Sequence, residues 1–303
     1  QQKLLTKEES RRGIWMYYGR NTGHGHKDTL NLGLHAFGLD LSPDLGYPEV
    51  TGADPKRLQW TSNTISHNTV VVDKTRQSNS YVAIPHHFDD SELVKLMDVE
   101  APKVYPQTEL YRRTTAMIQV DEHNSYAIDF FRVKGGSDHH YSFHGAEGEV
   151  STEGLDVAPQ QTGTYAGEDV PFTQPAPWDP NGLSGFHYLY NVERASNPNS
   201  GFSIDWSVHD TWSVHSEDQP IHLRLTMLTD VDELAIAEGD PPQNKPGNPR
   251  RLKYMVAHRS GDNLNSIFTS VLEPYKDNRF IASIEPVPVT LDGREVSDEE
   301  AKA

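Results

Sequence analysis

Cysteine is absent from all 303 residues, which removes disulfides, thiolate metal sites and cysteine nucleophiles at once. The compartment stays open on that ground, since bacterial secreted proteins often lack disulfides. No apolar run approaches the roughly 18 residues of a transmembrane helix, and no signal-peptide pattern is visible. The start Gln1-Gln2-Lys3 reads as a processed product or as part of a longer chain. Basic residues are scarce: 27 Lys and Arg stand against 44 Asp and Glu, a formal charge of −17. Nucleic acid is therefore an unsuitable partner, because phosphate binding needs clustered positive charge. The charge favours solubility and dictates no fold. Long helical patterns are also missing.

What the chain has instead is punctuation. Its 22 glycines and 20 prolines separate short apolar runs, the pattern of a loop-rich β protein. Leu30, Leu32, Leu34 and Ala36 alternate with other residues, so period two predicts a strand there. Gly38 then turns the chain into a hairpin whose second strand ends at Asp44-Leu45-Gly46. Thr69-Val70-Val71-Val72 is β-branched throughout and predicts a buried strand. Further strands are predicted at 92–99, 110–120, 126–133, 140–144, 203–208, 222–228, 253–258, 267–272 and 280–286, with residues 121–125 as a turn. The fold class is all-β, a large antiparallel sandwich of stacked sheets with long loop insertions. One β-sandwich domain spans 1–290, with an irregular insertion at about 154–200 and a polar tail at 291–303. Residues 239–251 read as an exposed loop with no core-forming residues.

The chemistry is densest between Arg20 and Asp73. Gly23-His24-Gly25-His26-Lys27-Asp28 is followed by Asp44-Leu45-Gly46-Tyr47 and then by Ser66-His67-Asn68-Thr69. On an extended stretch His24, His26 and Asp28 share a face. A divalent metal could take His26, Asp44 and His67; two imidazoles and a carboxylate suit Zn²⁺, and Mn²⁺ less well. His24 would then stand beside the ion with its ring free for proton transfer. Plain readings compete with each assignment. Among 15 histidines some cluster by chance, His67 can cap a strand, Asp44 can be a turn aspartate, and Asp28 can bond backbone amides. The pairs His86-His87 and His139-His140 read as surface residues or as neighbours of a site. Trp15, Tyr17 and Tyr18 can line a sugar groove or fill the core. Arg112, Arg113 and Arg132 can grip a carboxylate, or pair structurally with Asp121 or Asp129.

Taken in order, Gly-His-Gly-His-Lys-Asp, Leu-Ser-Pro-Asp-Leu-Gly-Tyr and Ser-His-Asn-Thr-Val-Val-Val-Asp resemble the heparinase II/III-like polysaccharide lyases. Tyr111-Arg112-Arg113-Thr114, the run Tyr126 to Val133 and Tyr141-Ser142-Phe143-His144-Gly145 agree with that resemblance, which covers about residues 19–145. The resemblance implies an α/α toroid upstream of this β part, with the substrate groove between the two. It implies proton transfer by His24 and metal ligation, usually of zinc, by His26, Asp44 and His67. Arg20, Asn21 and Tyr18 are the candidate substrate contacts. The family's catalytic tyrosine usually comes from the toroid, with Tyr17 or Tyr18 as possible substitutes here. The implied substrate is an anionic uronate polysaccharide, cut by β-elimination, in the periplasm or outside a bacterial cell.

Two other classes fit the same residues. A His26, Asp28 and His67 set has the composition of an iron(II) oxygenase site, with Asp28 as ligand in place of Asp44. A non-catalytic carbohydrate-binding module would use aromatic platforms alone.

Overall fold

The computed structural model describes residues 11–296. The start Gln1-Gln2-Lys3 and the end of the polar tail lie outside them.

Seventeen strands carry the architecture. They are β1 (Gly13–Met16), β2 (Leu32–Ala36), β3 (Leu39–Asp40), β4 (Val70–Val72), β5 (Ile84–Asp90), β6 (Val94–Glu100), β7 (Leu110–Gln119), β8 (Ser125–Lys134) and β9 (Asp138–His144). After these come β10 (Gly148–Glu153), β11 (Ala158–Pro159), β12 (Tyr190–Ser196), β13 (Ser203–Val208), β14 (Ile221–Met227), β15 (Glu233–Gly239), β16 (Leu252–Ser260) and β17 (Asn265–Lys276). An eight-stranded sheet runs β10-β13-β14-β17-β8-β7-β6-β5, and a six-stranded sheet runs β11-β12-β15-β16-β9-β4. Strands β1, β2 and β3 form a small third sheet. The pairings are antiparallel. The all-β stacked-sheet class read from the sequence is the observed one.

Alternation explains the first layer. Along β8 every second residue is buried, so one face of the strand meets the core and the other stays half-buried. Tyr111, Phe131, Tyr141, Phe143, Trp206 and Phe268 fill the main core, each essentially inaccessible. Burying side chains of this size stabilises by about 1.5–3 kcal/mol apiece. Strand β9 is buried on both faces because the six-stranded sheet is also covered on its outer side. That cover is a second core, in which Trp60, Tyr165, Phe186, Tyr188 and Leu189 pack on Val192, Ala235, Tyr254 and Val256.

Three expectations change here. The stretch 154–200 is not a plain insertion: its end is β12, paired with β15, and its aromatic residues cover a sheet. Residues 280–286 form no strand; they are held at one end, where Glu273 accepts the backbone N–H groups of Phe280 and Ile281 at 2.9 and 2.8 Å. The 30–37 strand and its hairpin exist, but β3 is only two residues long, and the turn is Phe37-Gly38 with φ of +55° and +80°. Positive φ at both central residues matches the right-handed twist of the flanking strands.

Candidate functional site

Three irregular segments meet above the end of β4. The first, Arg20 to Asp28, is a turn and not the extended stretch the alternation suggested. Gly23 has φ +69°, and a Cβ on Gly25 would lie 2.8 Å from the Arg20 carbonyl oxygen. The chain therefore folds back on itself, and the two histidines separate: His24 is exposed and His26 turns inward. Asn21 is fully buried, its amide donating to the Ser78 carbonyl at 3.0 Å. It fixes the turn, which corrects its expected role as a substrate contact. Arg20 and Tyr18 are exposed, with the Arg20 guanidinium over the Tyr81 ring at 5.9 Å.

The second segment is Asp44 to Tyr47. One Asp44 oxygen accepts the Gly46 N–H at 2.7 Å, an Asx turn closed by Gly46 at φ +69°. The other oxygen is left facing the histidines. The third segment carries His67, whose Nδ1 lies 2.7 Å from the Asn63 carbonyl oxygen. A carbonyl only accepts, so Nδ1 carries a proton and Nε2 points into the cluster.

Strong buried bonds hold the segments together. The Lys27 N–H donates to the Ser62 carbonyl at 2.9 Å. Asn68 donates its backbone N–H to Asn31 and its amide to the Leu32 carbonyl, and accepts the His144 N–H, at 2.8, 3.0 and 2.8 Å. Arg113, fully buried on β7, pairs bidentately with Asp129 at 2.8 Å per bond and donates to the carbonyls of Leu30 and Asn68. Of the two structural pairings considered for these arginines, Asp129 is the one formed by Arg113. Arg112 pairs instead with Asp98 on β6.

The result is a compact donor set. His67 Nε2 lies 3.1 Å and His26 Nδ1 3.4 Å from the same Asp44 oxygen, and the two ring nitrogens are 2.9 Å apart. Asp28 joins them: one ligand atom from each of the four residues lies within 4.8 Å of the rest. Burial alone would raise the Asp44 pKa, but hydrogen bonds from His26 and His67 hold it well below the usual carboxylate range. Burial works against a charge on His67, and Asp44 and Asp28 outweigh it, so its pKa is raised. Burial raises Asp28. Two imidazole nitrogens at 2.9 Å need a proton or a cation between them, because two lone pairs repel.

A divalent metal fits this set on two grounds. Donor atoms around a tetrahedral ion with bonds of about 2.0–2.1 Å sit roughly 3.3 Å apart, close to the 2.9, 3.1 and 3.4 Å among His26, Asp44 and His67. Asp28 Oδ1 is buried without a hydrogen-bond partner, an acceptor that burial leaves costly unless something positive meets it. Asp28 therefore stands with Asp44 and does not replace it.

On the exposed side, His24 Nδ1 lies 3.0 Å from the Tyr47 hydroxyl, and the two rings are stacked with centroids 6.1 Å apart. The sequence had Tyr47 in view only as the last letter of Asp-Leu-Gly-Tyr. Tyr17 is engaged elsewhere, donating to the Arg20 carbonyl at 2.7 Å, and Tyr18 is exposed.

A second cluster joins Asp138, His140 and His258. His140 and His258 are cross-strand neighbours on β9 and β16, stacked 4.2 Å apart, and both reach one Asp138 oxygen at 2.9 and 2.6 Å. His139 and His140 are buried, against the surface reading: β9 is covered on both faces. His86 and His87 do lie on the exposed strand β5.

The chain resembles in structure the heparan sulfate lyase HepC from Pedobacter heparinus, with 12% identity and a TM-score of 0.53 over 88% of this chain and 33% of that one. A heparinase III with methylated lysines gives 12% identity and a TM-score of 0.54 over 87% of this chain and 32% of that one. The chain thus spans about a third of the length of these enzymes. Among curated proteins, a sequence search finds no match. Residues 16–238 match the family described as heparinase II/III-like, C-terminal, and the chain belongs to that family.

Proposed function

We propose that the chain is the β part of a polysaccharide lyase that cuts a uronic-acid polymer by β-elimination, working with an upstream α/α toroid in the periplasm or outside a bacterial cell. The observation that carries this reading is the exposed His24–Tyr47 pair on the open side of the His26, Asp44 and His67 cluster. Family membership supplies the reaction class.

Elimination needs three things. The uronate carboxylate must be neutralised so that charge developing beside C5 is stabilised. A base must take the C5 proton, whose electron pair becomes the C4=C5 double bond. An acid must protonate O4 as its bond to C4 breaks. Positioned acid–base groups of this kind contribute roughly 10²–10⁴-fold. His24 is the base, or the group that neutralises the uronate, and Tyr47 is the hydroxyl partner that orients its ring. Tyr47 replaces Tyr17 and Tyr18 as the tyrosine nearest to that chemistry.

His26, Asp44 and His67 would hold a divalent metal, Zn²⁺ first and Mn²⁺ second, with Asp28 as a further oxygen donor. The ion supplies a fixed positive charge that locks three irregular segments into one floor. Four protein donors describe a closed, structural site, whereas catalytic sites keep a position open. That weighs against the iron oxygenase reading.

The test is incubation of the chain, with and without the upstream toroid, against alginate, heparin-like and ulvan polymers, reading the ultraviolet absorbance of the new double bond. Cleavage by the parent protein and none by His24→Ala, with the fold retained, is the expected result. Full activity in His24→Ala would overturn the assignment.

A further inference from the structure

The segment 239–251 is not a free loop. The Gln243 N–H donates to a Glu49 carboxylate oxygen at 2.6 Å, and the Asn244 amide donates to the Tyr47 carbonyl at 2.8 Å. Docked in this way, it walls a cavity of about 300 Å³, within the size range of small-ligand sites. Asp44 and Tyr47 line the same cavity, so it opens directly beside the His24–Tyr47 pair.

Two features of this cavity suit a sugar ring. Trp212, 56% exposed, stands in the wall with its six-membered ring against the backbone of Gly247. A Cβ on Gly247 would come within 2.6 Å of that ring, and its φ is +86°, so glycine is needed for the indole to lie flat there. Asp210 also lines the cavity, and one of its oxygens accepts the His215 N–H at 2.8 Å, closing the turn that carries Trp212. Lys245 lines the rim and makes no ion pair among the described residues.

We infer that this cavity is a subsite for one uronate ring of the polymer, flanking the His24 centre. The ring stacks on Trp212 and the carboxylate pairs with Lys245. This rests on the lyase reading for its substrate class, while its residues lie outside the reacting set.

The experiment separates the two. In a His24→Ala background, binding of a heparin-derived tetrasaccharide, a mannuronate tetrasaccharide and neutral cellotetraose is measured by calorimetry. Cleavage by the parent chain joined to its upstream toroid is scored separately. At least one anionic probe should bind more tightly than cellotetraose. Trp212→Ala should weaken that binding about tenfold, and Lys245→Ala about threefold to fivefold, with unchanged thermal transitions. Binding that both variants keep in full, or no binding of either anionic probe, overturns the subsite. Binding that depends on Trp212 without cleavage by the parent joined to its upstream toroid overturns the lyase reading and leaves the subsite standing.

Discussion

Two clusters in this protein share a composition of histidine and aspartate, and they are built differently. Asp138, His140 and His258 sit on neighbouring strands in register, where β9 and β16 place two imidazoles over one carboxylate. Both carboxylate oxygens and three of the four ring nitrogens there have a partner. Tyr165 meets His140 Nδ1 at 2.9 Å, both Nε2 atoms meet Asp138, and the Lys74 ammonium lies 3.4 Å from the other Asp138 oxygen. His26, Asp28, Asp44 and His67 come from three irregular segments. They leave two ring nitrogens facing each other and one carboxylate oxygen without a partner. Donor composition does not distinguish the two clusters; saturation does. A lysine already serves as the cation in one, and among the described residues no lysine or arginine pairs with the carboxylates of the other.

The largest expected effect breaks the scaffold of the irregular cluster. Arg113→Met leaves Asp129 buried without its partner and frees the carbonyls of Leu30 and Asn68 that flank the ligand segments. It should cost about 3–5 kcal/mol in denaturant unfolding. Next comes chelation. Removing a metal present at about a hundred times its Kd should cost close to 3 kcal/mol, read as a Tm drop on the order of 4–5 °C for a chain of this length. His67→Ala should show the same loss without chelator, and a stable, fully active His67 variant lacking metal would end the ligand assignment.

A third prediction concerns the saturated cluster and pH. Burial lowers the His140 pKa to about 4, below its unfolded value of about 6.5. The unfolded chain therefore binds a proton first, and stability falls as the pH drops from about 6.5 towards 4. The loss is at most about 3 kcal/mol, and His140→Gln should flatten this part of the Tm–pH curve. The smallest effect separates the two aspartates. Asp28→Asn should weaken metal binding about tenfold, roughly 1.4 kcal/mol, while Asp138→Asn leaves metal affinity unchanged in the same titration.

Sequence pattern reaches as far as periodicity does. The strand at 203–208 is observed with the boundaries read from the sequence, and β7 and β8 alternate cleanly enough to be seen with the turn between them. Strand β15 was missed because Leu234, Ala235, Ile236 and Ala237 are all buried, so no alternation marks it. Strand β12 was hidden by its polar letters, since only Val192 and Ala195 are buried in it. The residue types of the candidate site were legible, and their convergence was not. His26 and His67 meet because Asn68, Arg113 and the Lys27 backbone tie loops to strands, bonds that no local pattern announces. Tyr47 and the cavity beside it depend on the docking of the 239–251 segment, which composition alone marks as exposed.

The most direct measurement is metal content per chain by elemental analysis, on protein purified under metal-replete conditions, for the parent, His67→Ala and His258→Ala. One divalent ion per parent chain, lost in His67→Ala and kept in His258→Ala, is the expected result. A parent chain free of metal, or an ion that follows His258 and not His67, would contradict the account.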